Sequence, residues 1–176
     1  YSSQRQYRRR VIIPSFDVDG KLSYYIARSI DKNRIPKYLN SKIPKNEIIF
    51  NEIDVDWRDP ITLVEGVFDA MKCADNVIPI LGSSLSKSSK LYHALIKNSC
   101  DVTLSLDPDL KEKCYHIAKN LAKDGCKVSI AFAPEKTDLG ELDKAQASSV
   151  MKNKVAYDPM NALRQKIKNI KSGSII

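Results

Sequence analysis

The chain has 176 residues, 43% hydrophobic and 28% charged, with a net charge of +8. That is enough length for one compact domain with a small satellite and enough apolar content for a core, so the composition is not that of a disordered chain. No apolar stretch approaches the ~20 residues of a membrane span and no signal-peptide pattern opens the chain, so no membrane partner is expected.

In chain order, "RRRVIIPSFD" and "LSYYIARSI" are strand-like runs separated by "DVDGK", a tight-turn sequence with Gly20 where positive φ is expected. "IPKYLNSKIPKN" carries two prolines and no helical period, which predicts an ordered loop or extended segment. From Ile61 short apolar runs alternate with amphipathic stretches: strand "ITLV", helix "FDAMKCA", strand "VIPIL", and a helix in "SKSSKLYHALIKN" with Ser86 as N-cap. Strand "DVTLSL" and helix "DLKEKCYHIAKNLAKDG", closed by Gly125, follow; then strand "KVSIAFA" and helix "LGELDKAQASSVM". This alternation predicts right-handed crossovers and an α/β fold, a mostly parallel sheet with helices on both faces, preceded by a small basic β-rich subdomain. The expected divisions are residues 1–52 for the β-rich part, 53–150 for the α/β part and 151–176 for a basic terminal helix or tail. The opening "YSSQRQYRRR" lacks Met and reads as the ordered part of something longer.

Charge follows the same division: +7 over residues 1–50, −4 over 51–150 and +5 over 151–176. Basic surface attracts phosphate and carboxylates hold a divalent cation, so this arrangement suits a polyanion-handling protein with a metal centre. A solvated acidic surface with basic tails is the plainer alternative. Cys73, Cys100, Cys114 and Cys126 form no C-x-x-C pair and read as reduced thiols in a cytosol-like compartment. His93 and His116 read as structural helix residues, so no zinc is expected in this segment.

Ligands of open parallel sheets bind beyond the carboxyl ends of the strands. Glu65 ends the first strand of the α/β part, Asp107 and Asp109 in "LSLDPDL" end the third, and Asp138 follows the fourth. Asp69 lies one helical turn after Glu65. Carboxylates crowded into one volume repel unless they share a cation, and an oxygen-only donor set suits Mg²⁺ or Mn²⁺. Other roles remain open for some of them: Asp69 as complement to a helix N-terminus, Asp138 as N-cap, and Glu141 and Asp143 as exposed helix residues.

The order "VEGxxD", "LGSSLS", an apolar strand ending in D-x-D, then "FAPEKTDLGEL" resembles the Toprim (topoisomerase–primase) domain. "RRRVIIPSFDVDGKLSYYIARSI" followed by "PKYLNS" is similar to the segment before Toprim in bacterial and phage DnaG-type primases, and the similarity spans about residues 8–143. The resemblance implies an RNA-polymerase core that makes short RNA primers on single-stranded DNA from NTPs, in a bacterial or phage-infected cytoplasm. It implies two or more Mg²⁺ or Mn²⁺ ions at Glu65, Asp69, Asp107, Asp109 and Asp138, with Glu65, Asp107 and Asp109 catalytic. It also implies nucleotide or DNA binding by Arg28, Lys37, Tyr38, Asn40 and Ser41, with Arg8, Arg9 and Arg10 adding phosphate contacts. A replicative helicase and a zinc-binding module outside this segment are the implied partners. Departures are "DPDLKEK" in place of the usual D-G-D-x-A-G, and Gly140 where a second Asp is common. A Toprim-type nuclease, or a primase remnant that only binds single-stranded DNA, are the rival readings.

Overall fold

The computed structural model describes residues 4–73, 75–134, 137, 139–160 and 163–164. Strands β1 (Arg10–Phe16) and β2 (Leu22–Ser29) pair antiparallel. Their turn follows from its residues: Asp17 Oδ1 accepts the N–H groups of Asp19 (3.0 Å) and Lys21 (2.9 Å), and Gly20 takes φ +75°. Part of the segment expected to be loop or extended forms a third strand, β3 (Tyr38–Asn40), antiparallel to β2, giving the order β1–β2–β3. Fully buried Ser15 anchors the hairpin to the chain that follows, its Oγ accepting the Asn51 N–H at 2.8 Å.

The second sheet contains β4 (Ile61–Val64), β5 (Val77–Pro79), β6 (Asp101–Ser105), β7 (Lys127–Ile130) and β8 (Val155–Ala156), in the order β5–β4–β6–β7–β8. Pairing is parallel throughout except for β8, a short antiparallel addition that its two exposed residues did not announce. The crossovers between parallel strands carry α1 (Val67–Ala70), α2 (Lys90–Lys97) and α3 (Lys111–Lys123), and α4 (Lys144–Lys152) joins β7 to β8. Period-2 alternation sorts β4 between two cores. Ile61 and Leu63 pack with Leu91 and Leu95 of α2 and with Ile117 and Leu121 of α3. Val64 packs on the other side with Ala147 of α4 and Ala70 of α1. Both faces are therefore covered, the arrangement that parallel strands require.

The structure corrects three local expectations. The N-cap of α2 is Ser89, whose Oγ accepts the Tyr92 N–H at 3.2 Å and donates to the Ser86 carbonyl at 2.7 Å; Ser86 belongs to the preceding turn. The N-cap of α4 is Asp143, not Asp138, because residues 139–141 first form a separate 3₁₀ turn. Asp143 Oδ1 accepts the Gln146 N–H and Gln146 Oε1 accepts the Asp143 N–H, satisfying two otherwise orphaned donors. Helix α1 is a single turn, shorter than "FDAMKCA" suggests. Gly125, at φ +109° just after the C-cap Asp124, does close α3, through Gly125 N–H to Ala122 O and Cys126 N–H to Leu121 O. The terminal basic helix expected near the end of the chain falls largely outside the described residues.

The four cysteines are free thiols; burial pushes Cys114 up to about 12 and Cys126 up to about 11. His93 and His116 lie exposed on α2 and α3. Among the described residues no helix is long and apolar enough to cross a membrane.

Candidate active site

The order of the parallel sheet places one crevice. The chain leaves β4 towards β5 on one side, and leaves β6 towards β7 on the other. Connections that diverge from neighbouring strands cannot cover the gap between their carboxyl ends, so a crevice opens there. Val64 and Ser105 are register partners at the ends of β4 and β6. Glu65 follows the first and Asp107 lies two residues past the second, so adjacent strand ends carry both carboxylates to the crevice.

A cavity of about 470 Å³ occupies this place. Half-buried Glu65, Asp69 and Asp107 line it, together with Gly66, Phe68, Gly82, Gly140 and Glu141. Its other wall comes from the three-stranded sheet: Ile26 and Arg28 of β2, Lys37, and Tyr38 and Asn40 of β3. Acidic strand ends thus face a cationic and aromatic sheet across one volume. The two walls come from separate stretches of the chain and meet there only through the docking of the two sheets.

Local geometry explains how the acidic wall is held. The Gly82 N–H donates to the Glu65 carbonyl at 3.2 Å, tying the β4 end to the loop after β5. Asp69 Oδ2 accepts the Gly66 N–H at 2.8 Å, fixing the turn next to Glu65. Gly140 has a packing reason for lacking a side chain: a Cβ there would stand 2.7 Å from Asp69 Oδ1. The residue that reads in sequence as a missing carboxylate therefore leaves room for one already present. Nearby Cys73 is raised to about 11, mainly by burial and secondarily by the charge of Asp69.

On the opposite wall Arg28 and Tyr38 are register partners in β2 and β3, which puts them side by side. The Arg28 Cζ lies 5.7 Å from the Tyr38 ring centroid and 4.4 Å from that of Phe68 in α1. Lys37 Nζ lies 5.9 Å from the Tyr38 ring. Burial pushes the phenol of Tyr24 upward, and the Asn40 side chain partly opposes the shift.

Several expected site residues are placed elsewhere. Asp109 sits exposed in the 3₁₀ turn Pro108–Leu110 and does not line the cavity, and Asp138 lies outside the described residues. Ser41 belongs to a turn, its Oγ accepting the Ile43 N–H at 3.3 Å, and it does not line the cavity either. Arg10 is a structural clamp: its guanidinium donates to the carbonyls of Gln6 (3.1 Å), Ala27 (3.2 Å), Pro36 (2.7 Å) and Lys37 (3.0 Å). Arg9 pairs with Asp31 through both Nε and Nη2, while the Arg8 side chain is exposed. Five donors on one planar group satisfy a strand junction as readily as a phosphate, so an arginine run alone does not separate the two uses. Phe68 is a lining residue that sequence reasoning missed, and Glu141, expected as an exposed helix residue, lines the cavity too, from the 3₁₀ turn Leu139–Glu141. The signal of Phe68 was weak, because an aromatic inside the expected helix "FDAMKCA" reads as a core residue. Among the described residues, no three Asp, Glu, His or Cys side chains converge closely enough to hold a metal ion by themselves.

No family model matches the chain. It is similar to curated DNA primases. One, from Halalkalibacterium halodurans, is 23% identical over 96% of this chain and 30% of its own length. Another, from Clostridium acetobutylicum, is 33% identical over 59% of this chain and 19% of its own. The chain thus spans less than a third of the curated relatives it matches. Among solved structures, the zinc-binding and RNA polymerase domains of Aquifex aeolicus primase superpose with a TM-score of 0.72 at 21% identity, over 98% of this chain and 48% of that one. The DnaG primase catalytic domain bound to single-stranded DNA gives 0.66 at 20% identity, over 84% and 52%. In sequence the chain is similar to DNA primases, and it has the fold of a DnaG-type primase core.

Proposed function

We propose that this chain is part of the catalytic core of a DNA primase, making short RNA primers on single-stranded DNA by metal-dependent nucleotidyl transfer from NTPs. The observation that carries the reading is the single cavity in which Glu65, Asp69 and Asp107 face Arg28, Lys37 and Tyr38. In this reading residues 1–52 supply the phosphate-binding wall and 53–150 the acidic one, in a cytoplasmic protein.

The donor set fits a hard divalent cation. Four carboxylates, those of Glu65, Asp69, Asp107 and Glu141, line the cavity without forming a protein-only cage among the described residues, which suits Mg²⁺ or Mn²⁺, ions held by one or two carboxylates and completed by waters and substrate phosphates. Glu65 and Asp107 would hold the metal, with Asp138 as a further candidate. When bound, such an ion neutralises charge that builds on the phosphate oxygens during transfer.

The protein's own side chains do the rest. Arg28 and Lys37 attract the triphosphate and offset its charge beside the acidic wall. Tyr38, 41% exposed at the cavity rim, offers a face on which a base stacks. Asp69 holds the turn that carries Glu65, so the carboxylate is aimed before substrate arrives. Template phosphates are met without base preference by the basic surface that includes Arg8. A helicase and a zinc-binding module are the partners proposed from outside this segment.

The test is primer synthesis from labelled NTPs on single-stranded DNA with Mg²⁺ or Mn²⁺. The expected result is NTP-dependent oligoribonucleotides, lost at least 100-fold in Glu65→Gln and Asp107→Asn, the range for removing transition-state charge stabilisation. Strand scission without NTPs, or product unchanged in both variants, overturns the reading.

A further inference from the structure

Among the described residues Phe68 belongs to no apolar cluster. Helix α1 buries Val67 in the cluster under the small sheet, and Ala70 packs against the cluster that contains Val64. Neither these clusters nor the main core includes Phe68 among the described residues. The ring stays half-buried at the cavity wall, against the guanidinium of Arg28, with Cζ 4.4 Å from its centroid. This contact crosses from the α/β lobe to the three-stranded sheet, so it spans the two walls of the site.

A guanidinium stacked on a ring keeps its N–H donors directed outward in its own plane, where a phosphate or carboxylate accepts them two at a time. An unstacked Arg pays several rotors of entropy when it engages such a ligand. With the Phe68 ring close by and Tyr38 beside it at 5.7 Å, Arg28 is held before the ligand arrives.

We propose that Phe68 is a positioning residue that holds Arg28 for the phosphates of an incoming nucleoside triphosphate. The proposal deepens the primase reading and rests on it for the identity of the ligand. It places in α1, one residue before Asp69, a determinant of nucleotide affinity. Lysine cannot replace Arg28 in this role, because an ammonium has no plane to stack and no fork to present.

The experiment measures equilibrium binding of ATP with Mg²⁺, and separately of a single-stranded oligodeoxynucleotide, alongside KM and kcat for primer synthesis. Phe68→Leu is expected to weaken ATP binding about 3–10-fold, the range for one partly desolvated cation–π contact. Most of its loss in kcat/KM then lies in KM. Phe68→Tyr restores affinity because it restores a ring, and combining Phe68→Leu with Arg28→Lys costs no more than Arg28→Lys alone. A thermal melt is run on each variant; should Phe68→Leu not fold, the decision falls to Phe68→Trp against Arg28→Lys, with the ring-bearing variant keeping affinity. Unchanged ATP binding in Phe68→Leu, Phe68→Tyr failing to rescue, or fully additive losses overturns the proposal. A loss confined to the oligonucleotide overturns it too and assigns Arg28 to the template. Normal ATP affinity effects in a protein that makes no primers support the positioning role while sinking the primase reading, so the two failures are separable.

Discussion

The two sheets that build the cavity are stabilised by different means. Among the described residues, the parallel sheet rests on nineteen buried residues in one cluster, covered by α2 and α3, with a second cluster on its other face. Among the same residues, the three-stranded sheet shares a cluster of five, and leaves Val11, Ile12 and Leu22 exposed. It holds its shape with polar ties: Arg10 on four carbonyls, Arg9 on Asp31, and buried Ser15 on Asn51. Close packing makes strand ends rigid and suits carboxylates that must be aimed. Hydrogen-bonded ties leave a thin sheet that can present basic side chains to a ligand of variable shape.

The strongest challenge to this contrast is a pair of truncations. Leu104→Ala, at a fully buried position in β6, is expected to cost about 3–5 kcal/mol, whereas Ile26→Ala in the small sheet costs about 2–3 kcal/mol because the site can collapse. Chemical denaturation of both variants checks the order; equal costs would erase the distinction. Next in size, Arg10→Met keeps the aliphatic stem but removes the clamp. About 1–2 kcal/mol should be lost, discounted for its partial exposure. Amide exchange should speed up at Ser29 and the β2–β3 pairs while β6 stays protected.

A smaller effect comes from helix ends. Helices α2 and α3 close alike: Ser99 and Gly125 occupy equivalent positions, at φ +49° and +109°, and Cys100 N–H to Leu95 O repeats Cys126 N–H to Leu121 O. Ser99→Gly should therefore stabilise by about 0.5–1 kcal/mol and Gly125→Ala destabilise by a similar amount, since nothing crowds a Cβ at Gly125 and only the backbone resists. Melting temperatures that shift in opposite directions confirm the equivalence.

The smallest effect is a pH dependence. Hydrogen bonds from Arg58 lower Asp56 from 3.8 to about 2, so folding favours the ionised carboxylate. Its contribution is fully present above about pH 4 and is lost as pH falls towards 2. Asp56→Asn should flatten that part of the stability curve and leave neutral pH nearly unchanged.

The alternation of strand and helix from Ile61 on was legible because apolar runs and helical periods recur over whole elements. The hairpin was legible too, from "DVDGK". Strand β3 was not: two prolines obscure its pattern, and its pairing is supplied by β2. Strand β8 has only two exposed residues and exists because β7 offers a free edge. At the site, Glu65, Asp69 and Asp107 stood out because a carboxylate after a buried strand or beside one needs a reason. Arg10 misled, since an arginine's donors say nothing of which acceptor they will meet.

By itself the sequence determined the class of fold, the strand ends that carry acid, and the basic character of the segment before them, because these depend on local periodicity and composition. Only the tertiary structure decided that Asp107 lines the cavity while Asp109 sits exposed beyond it, that Gly140 yields its space to Asp69, and that the Arg28 guanidinium lies over the Phe68 ring. Each of those depends on how two sheets dock, and docking is settled by shape across the interface, a property no short stretch of residues carries.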